Sequence, residues 1–197
     1  MQTDNSNDRR KRAQAMGGLL RTVVMVGMPG AGKTAVGTAT ARRLGVPFRD
    51  SDAEIERAAR RTIAEIFERE GEPFFRERET AVLRRILSEP PCILSTGGGA
   101  YLQARNREAI RAEGVALWLR AELDLLWSRV RHKTTRPLLR TADPRATLAE
   151  LARAREPFYA EAEIVVDSLP DLTVDQMAGR VAAALKAHPG VIEGPRA

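Results

Sequence analysis

Gly27-Met28-Pro29-Gly30-Ala31-Gly32-Lys33-Thr34 fits the pattern G-x-x-x-x-G-K-[ST], and its flanks restrict the fold more than any other stretch of the chain. Upstream, Thr22-Val23-Val24-Met25-Val26 is an apolar, β-branched run of the kind that forms a parallel strand buried on both faces. Downstream, Thr34 to Leu44 holds Ala, Val, Leu and Arg without proline, and Gly45 offers a stop, so a helix is expected. Strand, glycine-rich turn and helix N-terminus in succession make a phosphate cradle. Backbone N–H groups point inward, and the positive end of the helix dipole lies behind them. In such a cradle Gly30, Ala31, Gly32, Lys33, Thr34 and Ala35 would hold a nucleoside triphosphate. Lys33 would reach the β- and γ-phosphates, and the Thr34 hydroxyl would be a ligand for Mg²⁺.

The remainder of the chain alternates between strands and helices. Val46 to Asp50 reads as a second strand, followed by a helix from Ala53 to Arg61. Thr62-Ile63-Ala64-Glu65 is a capping box for a helix that stops at Gly71, and Pro73 opens another in a first-turn position. Cys92 to Thr96 is a third strand that runs into Gly97-Gly98-Gly99. Asn106 is expected to cap a short helix ending at Gly114, ahead of a fourth strand over Val115–Leu119. Helices are then expected over Ala121–Val130 and Pro144–Arg155, a fifth strand over Ile164–Asp167 and a closing helix over Thr173–Ala187. Residues 131–143 have no steady period, are basic and contain Pro137, which predicts a mobile loop. The pattern predicts a three-layer α/β/α fold around a five-stranded parallel sheet, with that loop as a mobile lid. Residues 1–20 are expected to be a disordered basic leader, 21–188 the single domain, and 189–197 a flexible C-terminal tail.

Charge narrows the range of partners. The 197 residues carry a formal net charge of +6, but it is local. Residues 129–155 alone hold eight basic and two acidic side chains, as a segment closing over a triphosphate should. No surface-wide nucleic-acid footprint and no run of membrane-spanning length is evident, so a cytoplasmic protein is expected, with no nucleic acid or membrane partner. The single cysteine, Cys92, cannot form an internal disulfide.

In an open parallel sheet, ligands bind beyond the carboxyl ends of the strands. Those ends should bring together the phosphate loop, Asp50-Ser51-Asp52 and Gly97-Gly98-Gly99. One carboxylate beside a phosphate loop can orient the hydration shell of Mg²⁺, and the other can take the proton of an attacking hydroxyl. Asp52 could also cap the helix from Ala53, a role compatible with the first. Three glycines after a strand let a small second substrate lie against bare backbone.

The ordered set Asp50-x-Asp52, Phe75-Arg76, Gly97-Gly98-Gly99, Arg136-Pro137-Leu138-Leu139 and Arg155-x-Pro157-x-Tyr159 resembles the shikimate kinase family over about residues 21–185. The resemblance implies ATP-dependent phosphorylation of the 3-hydroxyl of shikimate by a protein expected to be a monomer. By position, Asp52 resembles the aspartate that holds the ring hydroxyls and accepts the proton, and Asp50 the one that supports Mg²⁺ through water. Arg76 and Arg155 resemble the pair that grips the shikimate carboxylate, and Gly97, Gly98 and Gly99 the backbone wall of that site. Glu79 resembles the acid that orients the first arginine, and Phe67 and Phe75 the aromatics of the pocket. Arg136 resembles the arginine that closes over the transferring phosphate, and Arg129 the one that packs on adenine. The segment Ser168-Leu169-Pro170 departs from the family pattern. A gluconate kinase and a non-catalytic sensor of shikimate or nucleotide are the alternative readings.

Overall fold

The computed structural model describes residues 18–131 and 141–193. Five strands, β1 (Thr22–Val26), β2 (Phe48–Asp50), β3 (Ile93–Ser95), β4 (Gly114–Arg120) and β5 (Ile164–Asp167), form one sheet in the order β2-β3-β1-β4-β5. Every pairing is parallel, with Val24 opposite Leu94 on one side and opposite Ala116 on the other. β1 is buried at all five positions, so both faces are covered by helices, which is why it reads as an unbroken apolar run. The outer strand β5 instead alternates, with Val165 exposed between buried Ile164 and Val166.

Seven α-helices accompany these strands among the described residues: α1 (Lys33–Leu44), α2 (Ser51–Ala59), α3 (Ile63–Ser88), α4 (Ala104–Glu113), α5 (Leu123–Val130), α6 (Pro144–Tyr159) and α7 (Val174–Ala187). Local chemistry sets their ends. Gly45 closes α1 in the left-handed conformation, as expected. The capping box at the start of α3 is formed: Thr62 Oγ1 accepts from the Glu65 N–H at 3.2 Å, and Glu65 Oε2 accepts from the Thr62 N–H at 2.8 Å. Gly71 interrupts α3 with φ 79° and ψ 174°, so 63–88 is two helical pieces joined at a kink, with Pro73 just beyond it.

Several expectations are corrected. The helix after β2 begins at Ser51, because Asp50 caps it by accepting from the N–H groups of Asp52 and Ala53. Asn106 caps nothing. It is fully buried inside α4 and donates from Nδ2 to the Ala100 carbonyl at 2.9 Å, tying down the 3₁₀ turn Ala100–Leu102 that follows the three glycines. α6 continues through Pro157 to Tyr159, since a proline so near a helix C-terminus removes only one ladder bond. The leader and tail boundaries also shift. Leu19 pairs with Ile192 in an antiparallel bridge, the Leu20 N–H donates to the Val191 carbonyl at 2.8 Å, and the Glu193 N–H donates to the Gly18 carbonyl at 2.7 Å. Leu19 and Val191 are buried in the core, and this apolar contact holds the two ends together. The rest of the expected leader and most of the expected lid, Arg136 and Pro137 included, lie outside the described residues.

Candidate active site

The carboxyl ends of β1, β2 and β3 open into a cleft of about 600 Å³. It contains Lys33, Thr34, Asp50, Asp52, Gly97 and Arg129, which are scattered over almost a hundred residues of sequence. Gly30, Gly32, Ala35 and Gly98 also face it, and Leu172, Val174 and Met177 give it an apolar flank. Ala31, within the loop, is fully buried.

Gly32 stands at the N-cap of α1 with φ 101°, which turns the chain from loop into helix. Lys33 is largely buried, and its Nζ donates to the carbonyls of Gly27 at 2.8 Å and Met28 at 3.1 Å. The Thr34 hydroxyl donates to Asp50 Oδ2 at 3.0 Å and lies 3.2 Å from Ser95 Oγ. Asp50 therefore uses one oxygen to cap α2 and the other to meet Thr34. The Ser95 hydroxyl at the end of β3 was missed in the sequence, where it reads only as one residue of the strand expected over Cys92–Thr96. A hydroxyl that directly precedes the Thr96-Gly97 turn was the available signal.

Asp52 is half-buried and sits against the glycine turn, where a Cβ at Gly97 would lie 2.9 Å from its Oδ1. That oxygen is buried and has no hydrogen-bond partner among the described residues. Burial pushes the Asp52 pKa above the ordinary carboxylate value, the neighbouring Asp50 charge adds to this, and Lys33 opposes it. Asp52 lines the cleft, and a carboxylate with an oxygen short of a donor can accept from a hydroxyl placed beside it.

The two arginines expected to grip a carboxylate meet the glycine turn at neighbouring positions, Arg76 at Gly99 and Arg155 at Gly98. Arg76 donates to Glu79 Oε2 at 2.9 Å and, from two nitrogens, to Glu72 Oε1. Its guanidinium packs so closely on Gly99 that a Cβ there would lie 2.7 Å from both terminal nitrogens. Burial works against the Arg76 charge, and Glu79 and Glu72 more than restore it. Phe75 lies under that guanidinium, 5.2 Å from its carbon, and Phe67 stacks on Phe75 at 4.7 Å between ring centroids. Arg155 approaches Gly98, with Nη1 3.5 Å from its carbonyl oxygen, and the Tyr159 hydroxyl donates to the same oxygen at 2.6 Å. Arg129 donates from one nitrogen to the Ala31 carbonyl at 3.0 Å and to Ser168 Oγ at 3.1 Å. It thus braces the outside of the phosphate loop at the cleft wall. Ser168, in the segment that departs from the expected pattern, is buried and also donates to Ala31.

Hard oxygen donors at Thr34, Asp50 and Ser95 fit Mg²⁺, which takes few protein ligands and completes its shell with water and phosphate oxygens. A phosphate loop on the central strand, with a carboxylate and a pair of arginines around a bare glycine wall, defines a P-loop phosphotransferase with a small anionic acceptor. A sequence model of the shikimate kinase family matches residues 29–186. The chain is 61% identical over 186 residues to a shikimate kinase of Cereibacter sphaeroides, covering 94% of this chain and 93% of the relative. It is 61% identical over 175 residues to one of Ruegeria pomeroyi, covering 89% and 90%. The structure matches that of an Acinetobacter baumannii shikimate kinase in complex with shikimate, with a TM-score of 0.78, 38% identity and coverage of 87% and 94%. The chain belongs to the shikimate kinase family, and ATP-dependent phosphorylation of shikimate is that family's activity.

Proposed function

We propose that this cleft transfers the γ-phosphoryl group of ATP to the 3-hydroxyl of shikimate, with Asp52 as the proton acceptor. The observation that carries the reading is the buried, partnerless Oδ1 of Asp52 in the same cleft as Lys33 and Thr34. The 3-hydroxyl would donate to that oxygen and lose its proton to it as the new O–P bond forms and the bond to the β-phosphate oxygen breaks. ADP leaves, and the proton passes from Asp52 to solvent. A raised pKa makes the ionised Asp52 a stronger base and so a better acceptor of the hydroxyl proton.

Phosphoryl transfer asks the protein mainly for positioning and charge neutralisation. Lys33 supplies positive charge beneath the phosphates, and the loop N–H groups at the start of α1 cradle them. Thr34 and Asp50 would hold Mg²⁺, whose chemistry there is to neutralise phosphate charge. Arg76 and Arg155 would clamp the acceptor's carboxylate across Gly97–Gly99, a geometry suited to the guanidinium fork. Arg129 and the apolar flank would border the base of the nucleotide. Arg136 is assigned to the transferring phosphate on the family resemblance, and Arg136→Ala should lower kcat by roughly a hundredfold or more.

The protein is read as a monomer on the family resemblance, testable by light scattering. Among the described residues no helix is long and apolar enough to cross a membrane, which is consistent with a place in the cytoplasm. The deciding experiment is ADP release with saturating ATP and Mg²⁺ in the presence of shikimate, gluconate or no acceptor. Release that rises with shikimate alone is expected. Equal release without an acceptor would overturn the assignment.

A further inference from the structure

We infer that Tyr159 is a positioning residue for the acceptor site: its hydroxyl occupies the Gly98 carbonyl and so keeps Arg155 available for the substrate carboxylate. The inference rests on the reading of Arg155 as one arm of the carboxylate clamp. Arg155 and Tyr159 are four residues apart in the last turns of α6 and share one face of the helix. Both reach the same oxygen, but unequally. The 2.6 Å contact from Tyr159 is a short O–H···O bond, whereas the 3.5 Å contact from Arg155 is at the outer limit for a guanidinium donor. Tyrosine has the better claim on the carbonyl, and the arginine is held just off it.

The surroundings fix this division. Tyr159 is 1% exposed and packs on Trp118, with ring centroids 6.0 Å apart. Burial pushes the phenol pKa upward against the charge and side-chain hydrogen bond of Arg155, so the hydroxyl stays protonated and remains a donor. Its oxygen keeps lone pairs for the guanidinium, so a single phenol can hold the carbonyl and steady the arginine together. Gly98 itself has little room to move. A Cβ there would lie 2.9 Å from Pro29 of the phosphate loop and 3.3 Å from Arg155 Nη1. Without the phenol oxygen, the Gly98 carbonyl would lack its main donor, and the nearest replacement is the Arg155 guanidinium. A charge-assisted bond to that carbonyl would be strong enough to pull the guanidinium inward and away from the acceptor.

Steady-state kinetics with shikimate varied, on Tyr159→Phe, Arg155→Ala and the double variant, test the inference. Tyr159→Phe should raise the KM for shikimate about tenfold, the ratio expected for one buried hydrogen bond left unmade. The change in kcat should be smaller, because the loss falls on binding that is common to ground and transition states. The double variant should be no worse than Arg155→Ala alone, as for two residues acting through one contact. The methyl ester of shikimate, which lacks the anionic carboxylate, should show no penalty from Tyr159→Phe, a distinction that a merely structural tyrosine would not make. An unchanged KM in Tyr159→Phe, a full tenfold loss added on top of Arg155→Ala, or an equal penalty with the ester would each overturn the inference. An unchanged KM in Arg155→Ala would instead remove the clamp on which it rests.

Discussion

At Asp52 catalysis and stability pull in opposite directions. Its pKa is higher in the folded chain than in the unfolded one, chiefly through burial and then through the Asp50 charge. A carboxyl raised in this way binds its proton more tightly when folded. Its contribution therefore favours the fold at low pH and is lost as pH climbs through the raised pKa. Asp52→Asn removes the buried charge and should leave the melting temperature equal or higher at neutral pH, while kcat falls by about a hundred- to ten-thousand-fold. The parent's kcat/KM should decline as pH drops through the raised Asp52 pKa, because only the ionised base can accept the proton. A pH–rate profile together with melting curves of both proteins checks the two halves. Asp50 is a different case, since it caps α2 and meets Thr34. Asparagine caps a helix as well as aspartate does, so Asp50→Asn should keep the fold and raise the Mg²⁺ concentration needed for half-maximal rate. Identical Mg²⁺ titrations for the two aspartate variants would contradict that separation.

Among the elements, α3 shows most clearly how a local break serves the site. Gly71 adopts φ 79° with ψ 174°, a conformation that side-chain-bearing residues rarely take. A Cβ there would meet only Pro73 Cδ, at 3.7 Å, so the obstacle to substitution is backbone strain and not crowding. The kink sets the direction of the second helical piece, which carries Glu72, Arg76 and Glu79 to the glycine turn. Gly71→Ala should cost roughly 1–3 kcal/mol of stability, readable by urea denaturation. It should also raise the KM for shikimate, because relaxation of the kink would displace Arg76. Unchanged stability would mean that the kink is not held by the glycine. The capping box at Thr62 and the stop at Gly71 could both be read from the residues themselves, because a cap or a left-handed turn is satisfied within a few residues of chain. The reach of α6 to Tyr159 could not, since the packing of Tyr159 on Trp118 and its bond to Gly98 outweigh the break signal of Pro157.

For the molecule as a whole, the two ends of the described chain meet through Leu19, Val191 and the bridge between Leu19 and Ile192. Burying one such side chain is worth about 1.5–3 kcal/mol. Truncation after His188 would remove Val191 and uncover Leu19. It should lower the melting temperature by roughly 6–12 °C, taking about 3 kcal/mol and the slope for a domain of this size. Turnover at 25 °C should be nearly unchanged, as the clasp lies outside the residues of the cleft. A melting curve that matches the full chain would show that the clasp adds nothing to the fold.

The residues by themselves determined the strand–loop–helix around Lys33, the parallel order implied by buried apolar strands, and the gathering of Asp50, Asp52, Gly97 and Gly98 beside the phosphate loop, whereas Arg76, Arg129 and Arg155 were implied only by the family resemblance. The strand, loop and strand-end assignments follow from short-range patterning and from the rule that a parallel sheet gathers its loops at one end. Only the tertiary structure decided which aspartate caps α2, because either position satisfies the helix end and the contact with Thr34 selects Asp50. It also decided that Ser95 and Tyr159 belong to the site and that residues 191–193 are docked, since each depends on contacts between residues 61 or more positions apart. A hydroxyl at a strand end or a tyrosine at a helix end looks the same in sequence whether it faces solvent or a carbonyl across the cleft. The difference lies in the desolvation and hydrogen-bond satisfaction of buried groups, which exist only once the sheet has brought them together.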